Sequence, residues 1–329
     1  MRAVISKETG GADVLKLEEQ PAPEPKEHDL LVEVHATSVN PVDIKVRSSG
    51  AGRSFPLILG YDVSGVVVDV GARVQGFRRG DEVYGCPNLF GNGANADLAL
   101  LDSRACAKKP TSVDHATAAS LPLVGLTAWE SLHDRARIHA GQTILIHAGA
   151  GGVGHIAVQL ARLHGCHVLT TAGRGESVEF CREALRADDV IDYNQTDFVA
   201  RVREISNGVG LPVVFDTVGD DVFQRSIDCV APCGTLVTIL GSTPGDRSST
   251  LLFRSISVHY EFMGARVAYG VQPEEQGGVL RSLAKLVDRG LLRPHVSQRL
   301  PLERVADGHR QVETGHTIGK VAITVRETR

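Results

Sequence analysis

Residues Thr143 to Arg162 read TILIHAGAGGVGHIAVQLAR, and this stretch decides the fold. It opens with an apolar run of strand length, after which Gly149, Gly151 and Gly154 follow in the spacing G-x-G-x-x-G. Beyond the glycines, apolar residues recur every three or four positions, which is the period of one helix face. Glycines permit a sharp turn and a close approach to a diphosphate, whose charge the free N–H groups at a helix start can bind. Strand, glycine turn and helix therefore predict a dinucleotide-binding unit rather than a simple tight turn.

Further strands follow at the spacing of alternating strands and helices. Runs of strand type occupy residues 166–171, 189–193, 212–215, 235–240 and 256–262, with helix-like segments between them. This pattern predicts an α/β fold with a doubly wound parallel sheet, in which ligands bind at the carboxyl ends of the strands. The loops that leave these ends supply the candidate cofactor residues Thr171, Gly173, Arg174, Tyr193, Val218 and Gly241.

The end of the second of these strands indicates which dinucleotide is preferred. Folds selective for NAD usually carry an acidic residue there, which accepts the ribose 2′-OH. This chain instead reads TAGRG over residues 171–175. An arginine suits a 2′-phosphate in both charge and geometry, so the sequence predicts NADP(H). The alternative for Arg174 is a solvated loop charge. Tyr193 could stack on the adenine side or bond the 2′-phosphate, and its alternative is packing at a strand end.

The composition is that of a soluble globular protein. Its 329 residues exceed what one core usually serves, so two domains are expected. A net charge of -4 without a basic block argues against a nucleic-acid or anionic-membrane surface. No apolar run has spanning length, and the start MRAVISKETGG lacks a signal core, so we expect a cytoplasmic protein. Six cysteines without a C-x-x-C pair are expected to be reduced and mostly buried.

The remainder of the chain predicts a second domain. Residues 1–124 carry short strands at close spacing with glycine turns, which indicates a small antiparallel barrel. Within them, residues 38–43, 60–62 and 91–95 could carry chemistry, although each alone is typical of an ordinary turn. The tail has an amphipathic helix and a final strand, and we expect it to return to the barrel. The predicted domains are therefore 1–124 with 261–329, and 125–260.

Six stretches resemble the medium-chain dehydrogenase/reductase superfamily, and within it the zinc-independent quinone oxidoreductases. They are spread over nearly the whole chain: SVNPVDIKVRSSG (38–50), ILGYDVSGVVVDVG (58–71), FRRGDEVYG (77–85), LPLVGLTAWESL (121–132), HAGAGGVG (147–154) and HTIGKVAITV (316–325). The resemblance implies a GroES-like β-barrel catalytic domain, a Rossmann cofactor domain and a cleft between them. It also implies a homodimer, formed through the last Rossmann strand at residues 256–262.

The resemblance also assigns residues. Asn40 and Pro41 would line the nicotinamide end, and Thr127 would face the nicotinamide ribose and the diphosphate. The diphosphate would lie on residues Ala150, Gly151, Gly152 and Val153. Lys320, otherwise a solvated edge charge, would approach the cofactor from the returning tail.

Zinc-dependent relatives in this superfamily differ at informative positions. They place a cysteine near Asn40, a Gly-His-Glu sequence where Gly60-Tyr61-Asp62 stands, and a four-cysteine lobe shortly after Cys86. Because about three converging ligands are needed for a catalytic zinc, we expect no metal.

Without zinc, a developing alkoxide needs another form of stabilisation. Quinones and α,β-unsaturated carbonyls delocalise the incoming charge, so hydrogen-bond donors can suffice. The predicted activity is therefore NADPH-dependent reduction of such an acceptor, with Asn40, Tyr61 and Lys45 as candidate catalytic residues. Two alternatives stay open: a zinc-type alcohol dehydrogenase with atypical ligands, and a protein that binds NADP(H) without turnover.

Overall fold

The computed structural model describes residues 1–173 and 175–326, so the candidate Arg174 lies outside the described residues. Along the chain the strands are β1 Arg2–Ser6, β2 Leu15–Glu19, β3 Asp29–Val39, β4 Leu57–Ile58, β5 Val63–Val70, β6 Glu82–Gly85, β7 Leu98–Asp102, β8 Cys106–Lys108, β9 Thr143–Ile146, β10 His167–Ala172, β11 Asp189–Asp192, β12 Leu211–Asp216, β13 Val230–Thr238, β14 Ser257–Tyr260, β15 Val296–Pro301 and β16 Lys320–Thr324.

The α-helices are α1 Pro41–Ser49, α2 His115–Ala119, α3 Pro122–Trp129, α4 Gly152–Leu163, α5 Gly175–Glu179, α6 Phe198–Ile205, α7 Asp220–Ser226, α8 Ser248–Phe253, α9 Ala265–Tyr269, α10 Pro273–Asp288 and α11 Val305–Glu313. Two of them continue as π-helical segments, α3 into Glu130–Arg135 and α5 into Phe180–Ala184. In the described part of the chain, no helix combines the length and the apolar character that crossing a membrane requires.

The chain divides into two compact units. One comprises Met1–Leu126 together with the chain from Gly264 onward, and the other is Thr127–Met263. The first boundary falls inside α3, whose apolar sequence gives no turn signal. The domain limits proposed from the sequence, 124/125 and 260/261, lie two or three residues before these boundaries.

The unit Thr127–Met263 is built on a six-stranded parallel sheet. Its strand order is β11-β10-β9-β12-β13-β14, with the strand before the glycine turn, β9, between β10 and β12. Parallel strands with helical crossovers are covered on both faces, and Ile144, Leu145 and Ile146 are all fully buried. The order reverses direction at β9, which is where open α/β sheets bind ligands. The doubly wound parallel sheet is therefore confirmed.

The other unit is mainly antiparallel. A seven-stranded sheet runs β15-β16-β3-β5-β6-β8, with β7 also paired to β3, and β1 pairs with β2 and β4 in a smaller sheet. Strand β3 alternates buried and half-buried residues over most of its length, as expected when one face covers the core. The final strand β16 pairs antiparallel with β3, with Val321 opposite Val39. That pairing brings Lys320 next to the end of β3, where Asn40 follows.

The tail helix α10 ends at Asp288 with Arg289 as its C-cap, and Gly290 follows with a left-handed φ of 67°. All six cysteines are free thiols, and Cys233 alone among them is exposed.

Candidate functional site

The glycine turn joins β9 to α4, and its backbone leaves polar groups available. The N-cap of α4 is Gly151, and no side chain caps the helix start. The first N–H groups of any α-helix lack intrahelical acceptors, and here those of Gly152 and Val153 belong to this set. Residues 151–153 are half-buried and Ala150 is nearly buried. Uncapped N–H groups at a positive helix end fit the diphosphate of a dinucleotide.

Different glycines of the turn are needed for different reasons. A Cβ on Gly154 would lie 2.1 Å from the carbonyl oxygen of Ala148, and one on Gly149 would lie 2.1 Å from Thr170 Oγ1. These two glycines are therefore required for the packing of the turn against itself and against β10. A Cβ on Gly151 would meet only the Ala148 oxygen, at 3.2 Å. Gly151 is thus the glycine whose absence of a side chain leaves room for a ligand.

Thr171 holds the turn from behind. Its buried hydroxyl accepts the N–H of Ala148 at 3.0 Å and lies 3.2 Å from His147 Nδ1, while its carbonyl accepts the Gly149 N–H at 3.0 Å. His147 bonds Ser226 Oγ through its other ring nitrogen at 2.9 Å. Burial lowers the pKa of His147 to about 4, so the ring is neutral at neutral pH. Thr171 therefore supports the turn, whatever contact it makes with a cofactor.

At the end of β10, Gly173 lies directly beneath Tyr193. A Cβ on Gly173 would stand 1.9 Å from Tyr193 Cζ, so a larger residue there would displace the tyrosine ring. The tyrosine is 58% exposed and Asn194 Nδ2 donates to the Gly173 carbonyl. An exposed ring fixed over the end of the second strand is suited to contact an adenosine group.

Two further loops leave the carboxyl edge of the same sheet. Buried Asp216 accepts the N–H groups of Val218 and Gly219, each at 2.9 Å, which fixes the turn after β12. Val218 is 43% exposed, and Gly241 is exposed in the loop after β13. Among the described residues of this unit, the carboxyl edge therefore collects the cofactor candidates apart from Thr127, which is buried in α3.

A buried polar cluster forms the second region, in the mainly antiparallel unit. Asp62 Oδ2 accepts Ser38 Oγ at 2.6 Å and Asn40 Nδ2 at 2.7 Å, and its Oδ1 accepts the Leu123 N–H at 2.7 Å. Lys320 Nζ donates to Asn40 Oδ1 at 2.5 Å and to the Val39 carbonyl at 2.9 Å, and lies 3.6 Å from Asp62 Oδ2. The lysine is 3% exposed. The view of Lys320 as a solvated edge charge is therefore wrong, because the pairing of β16 with β3 buries its side chain against Val39 and Asn40 at the end of β3.

Asp43 connects the two loops that carry this cluster. Its carboxylate accepts the Asn40 N–H and the Gly60 N–H, both at 2.8 Å. Burial raises the pKa of Asp43 to about 7, against the effect of these two bonds and of Lys320. Burial likewise lowers the pKa of Lys320, which nearby Asp62 and Asp43 oppose. The cluster thus holds two carboxyl groups and one ammonium out of water, each with hydrogen-bond partners.

Tyr61 is fully buried, and its hydroxyl accepts a hydrogen bond from Arg53 Nη1. Burial raises the pKa of Tyr61 to about 12, so the phenol keeps its proton at neutral pH. Lys45 and Pro41 are exposed on α1, the helix that Asn40 begins. The fold therefore brings Asn40 and Lys320 into direct contact, whereas the Lys45 side chain lies on the solvent side.

These side chains do not fit a zinc site. Asn40 uses both ends of its amide and Asp62 both carboxylate oxygens in bonds to protein groups, and Tyr61 is bonded to a guanidinium. A buried ammonium, that of Lys320, already lies beside the carboxylate. Over residues 1–173 and 175–326, no three His, Cys, Asp or Glu side chains converge as a metal would require.

Several residues of these regions give little or no functional signal in the sequence. Asp43 and Ser38 stand inside the quoted stretch 38–43, three and two residues from Asn40, but their burial depends on strands β5 and β16. His147 is within the glycine stretch, and a strand-end histidine gives no signal of its neutral, hydrogen-bonded state. Arg53 lies in a turn of exposed character, and nothing local indicates its bond to Tyr61.

Comparison with known families places both units. The model of the alcohol dehydrogenase GroES-like domain matches residues 26–111, and that of the zinc-binding dehydrogenase matches residues 185–323. The GroES-like domain beside a parallel Rossmann-type sheet confirms the predicted fold class.

Relatives that match over nearly the whole chain indicate the same superfamily as the domain models. The chain is 34% identical to a "zinc-type alcohol dehydrogenase-like protein" of Staphylococcus aureus (strain COL), over 95% of this chain and 96% of that protein. It is 33% identical to the chloroplastic NADPH-dependent alkenal/one oxidoreductase of Arabidopsis thaliana, over 98% and 79%. The Escherichia coli quinone oxidoreductase, solved in complex with NADPH, superposes with a TM-score of 0.90 at 28% identity, covering 99% of this chain and 100% of that chain. The chain therefore belongs to the medium-chain dehydrogenase/reductase superfamily, in its quinone oxidoreductase branch.

Proposed function

We propose that this protein is an NADPH-dependent oxidoreductase that reduces a quinone or an α,β-unsaturated carbonyl compound. The observation that carries the proposal is the glycine-rich start of α4, which no side chain caps, at the point where the parallel sheet reverses its strand order. That geometry is suited to a dinucleotide diphosphate. Similarity to an NADPH-dependent alkenal/one oxidoreductase and to a quinone reductase solved with NADPH supports the choice of cofactor and acceptor.

In this proposal the residues of the parallel-sheet unit hold the cofactor. Ala150, Gly151, Gly152 and Val153 bind the diphosphate through backbone N–H groups, with Thr171 fixing the turn. Gly173, Tyr193 and Arg174 bind the adenosine phosphate. Val218, in the loop after β12, and Gly241, in the loop after β13, contact the cofactor from the same edge of the sheet. The bound NADPH supplies the hydride, while the protein supplies orientation and a fixed electrostatic environment.

The buried cluster would serve the nicotinamide end. Lys320 donates to Asn40 Oδ1, and one Nδ2 hydrogen of Asn40 is donated to Asp62. The second Nδ2 hydrogen is the group that Asn40 can offer to the cofactor. We propose that Lys320 acts on the cofactor through Asn40 and does not itself bind a phosphate. Pro41 and Thr127 remain proposed cofactor contacts, and Lys45 a proposed acceptor contact.

Tyr61 is the proposed proton donor. Its hydroxyl accepts from Arg53, so its own proton is free to be donated to the oxygen of a reduced acceptor. Replacing Tyr61 by Phe is expected to lower kcat for both quinone and enone substrates by about 10²-fold or more. Full kcat in Tyr61→Phe with both substrate classes would exclude this role.

We further propose that turnover needs no zinc. A buried ammonium at the Asn40–Asp62 cluster supports this view, because a divalent cation there would have to displace it. Elemental analysis of the purified protein tests it. About one zinc per chain, together with activity lost on chelation, would favour the zinc-type alcohol dehydrogenase alternative.

A homodimer through β14 is part of the same proposal. β14 is an edge strand of the parallel sheet, and Tyr260 in it and Phe262 beyond it are 52% and 45% exposed. An exposed edge offers unpaired backbone groups to a second copy. Sedimentation of a Val258→Pro variant is expected to show a monomer where the unmodified protein is a dimer.

The deciding experiment is a panel of quinones and enones assayed by NADPH oxidation, with NADH in parallel. Reduction of at least one class, with NADPH preferred, is expected. NADPH binding in calorimetry without turnover of any acceptor would instead identify a protein that binds the nucleotide without catalysis. Absence of NADPH binding would overturn the proposal as a whole.

A further inference from the structure

Arg53 is a half-buried cation without a carboxylate partner. Within the described residues, no Asp or Glu oxygen comes within ion-pairing distance of its guanidinium. Its Nη1 donates to Tyr61, and its Nε is buried with no hydrogen-bond partner. A partly desolvated charge with unused donors is unfavourable unless an anion or water completes it.

Two aromatic rings hold the guanidinium in place. Its Cζ lies 5.4 Å from the centroid of the Tyr61 ring and 5.5 Å from that of Phe90. Cation–π contacts of this kind orient an arginine without neutralising its charge. Phe90 is 54% exposed, so the outer side of the arrangement borders solvent.

Arg47, six residues earlier, shows what neutralisation looks like in the same unit. Its guanidinium is 1% exposed and binds Glu313, the Gly10 carbonyl and His309 Nδ1. That arginine is fully occupied with structural contacts that connect α1 to α11. Arg53 has no such set, although it is the one bonded to the proposed proton donor.

We propose that Arg53 is a binding subsite for a carboxylate carried by the acceptor, so that the preferred substrate is an anionic enone or quinone. The inference rests on the proposed function, since Tyr61 marks where the acceptor reacts. A guanidinium binds a carboxylate through paired N–H groups, and Arg53 retains unused donors for that purpose. The carboxylate would pair with the positive charge of the Arg53 guanidinium, which the contacts with Tyr61 and Phe90 do not neutralise.

A phosphate of the cofactor offers similar anionic chemistry, and the experiment separates the two sources. The probes are an enone with a carboxylate on a short saturated arm and the methyl ester of the same compound. Values of kcat/KM for both, and KM for NADPH, are measured in the unmodified protein and in Arg53→Met, Arg53→Lys and the matched control Arg79→Met. Arg79 is an exposed arginine of the same unit, paired with Asp69.

We expect the unmodified protein to favour the acid over the ester and to lose that preference with rising salt. In Arg53→Met the preference for the acid over the ester falls about 10- to 100-fold while KM for NADPH is unchanged. Turnover of both compounds falls as well, because Tyr61 loses its hydrogen-bond donor, but turnover of the acid falls further. Arg53→Lys retains part of the preference, because the charge remains without the paired geometry. Arg79→Met leaves the preference intact.

Other results overturn the inference. An equal loss for acid and ester in Arg53→Met assigns Arg53 a structural or Tyr61-orienting role, and a raised KM for NADPH assigns it to a cofactor phosphate. If the unmodified protein reduces neither compound, the proposed function fails. The subsite is then tested by calorimetric titration, which measures the affinities of the protein for the acid and for the ester. In that case equal affinity for acid and ester, or a preference kept in Arg53→Met, refutes the carboxylate subsite. Should Arg53→Met not fold, the salt dependence in the unmodified protein and the Arg53→Lys ratio decide.

Discussion

The glycine turn and the buried polar cluster are both candidate functional regions, and they are built in opposite ways. The turn is one continuous stretch, and its groups are backbone N–H donors whose positions follow from glycine spacing. The cluster joins side chains as far apart in sequence as Asn40 and Lys320, and it exists only because β16 pairs with β3. The first region depends on the absence of side chains, while the second depends on charged side chains satisfying one another.

This difference changes what a substitution does. In the turn, adding an atom obstructs a ligand or a neighbouring backbone. In the cluster, removing an atom leaves a buried charge without a partner, which is the more costly defect.

The largest expected effect is that of Lys320→Met. Loss of the ammonium leaves Asp62 and Asp43 buried without their cation, and breaking a buried pair costs about 3–5 kcal/mol. Urea unfolding measures it, with Lys108→Met as the control, since Lys108 forms an exposed pair with Asp81. Equal stability of the two variants would show that the cluster contributes nothing net.

Both units are expected to lose stability in acid, since each contains a buried histidine that is neutral in the native state. Burial lowers the pKa of His147 to about 4, and burial with the charge of Arg47 lowers that of His309 to about 3. The unfolded chain binds protons below about pH 6.5 while the native histidines do not, so stability is lost as pH falls from 6.5 towards 4.

Each histidine then costs roughly 1.4 kcal/mol per pH unit over that window. His309→Gln is expected to shift the acid unfolding midpoint to lower pH, while the exposed His316→Gln leaves it unchanged. An unshifted midpoint in His309→Gln would show that His309 is protonated in the native state.

Two alanine variants distinguish the glycines that the packing of the turn requires from the one that leaves room for a ligand. Gly154→Ala places a Cβ 2.1 Å from a backbone oxygen and should cost about 1–3 kcal/mol, despite the usual helical preference for alanine. In Gly151→Ala the nearest atom to the added Cβ is 3.2 Å away, and the φ of -74° at this position is open to alanine. Stability should therefore hold while NADPH affinity falls. Urea unfolding and calorimetric titration separate the two. Unchanged affinity in Gly151→Ala would contradict the diphosphate assignment.

The smallest expected effect is that of Thr171→Val. It removes the acceptor of the Ala148 N–H and the bond to His147, at a net cost of about 1 kcal/mol. NADPH affinity should fall modestly because the turn is less firmly held. The exposed Thr196→Val serves as control. A loss of affinity comparable to that of Gly151→Ala would mean that Thr171 contacts the cofactor directly.

Much of the first region could be predicted before the structure. The strand, glycine turn and helix follow from local periodicity, and the parallel, doubly wound sheet follows from the alternation of strands and helices. The exposed ring of Tyr193 over Gly173 was a candidate for the same reason, as it ends a strand of that sheet.

The second region was predictable only in its parts. The sequence marks the stretches 38–43 and 60–62, and the family resemblance points to Asn40, Tyr61 and Lys320. That Lys320 binds Asn40, that Asp43 spans the two loops, and that Arg53 bonds Tyr61 could not be read locally, because long-range strand pairing produces these contacts.

The sequence by itself determined the elements and the chemistry of the turn, since backbone groups are placed by the residues immediately around them. Only the tertiary structure decided which charges are buried and which partner each one meets. The physical reason is that hydrogen bonding between backbone groups repeats along the chain, whereas a buried side-chain charge is stabilised by whichever residue the fold brings within about 3 Å.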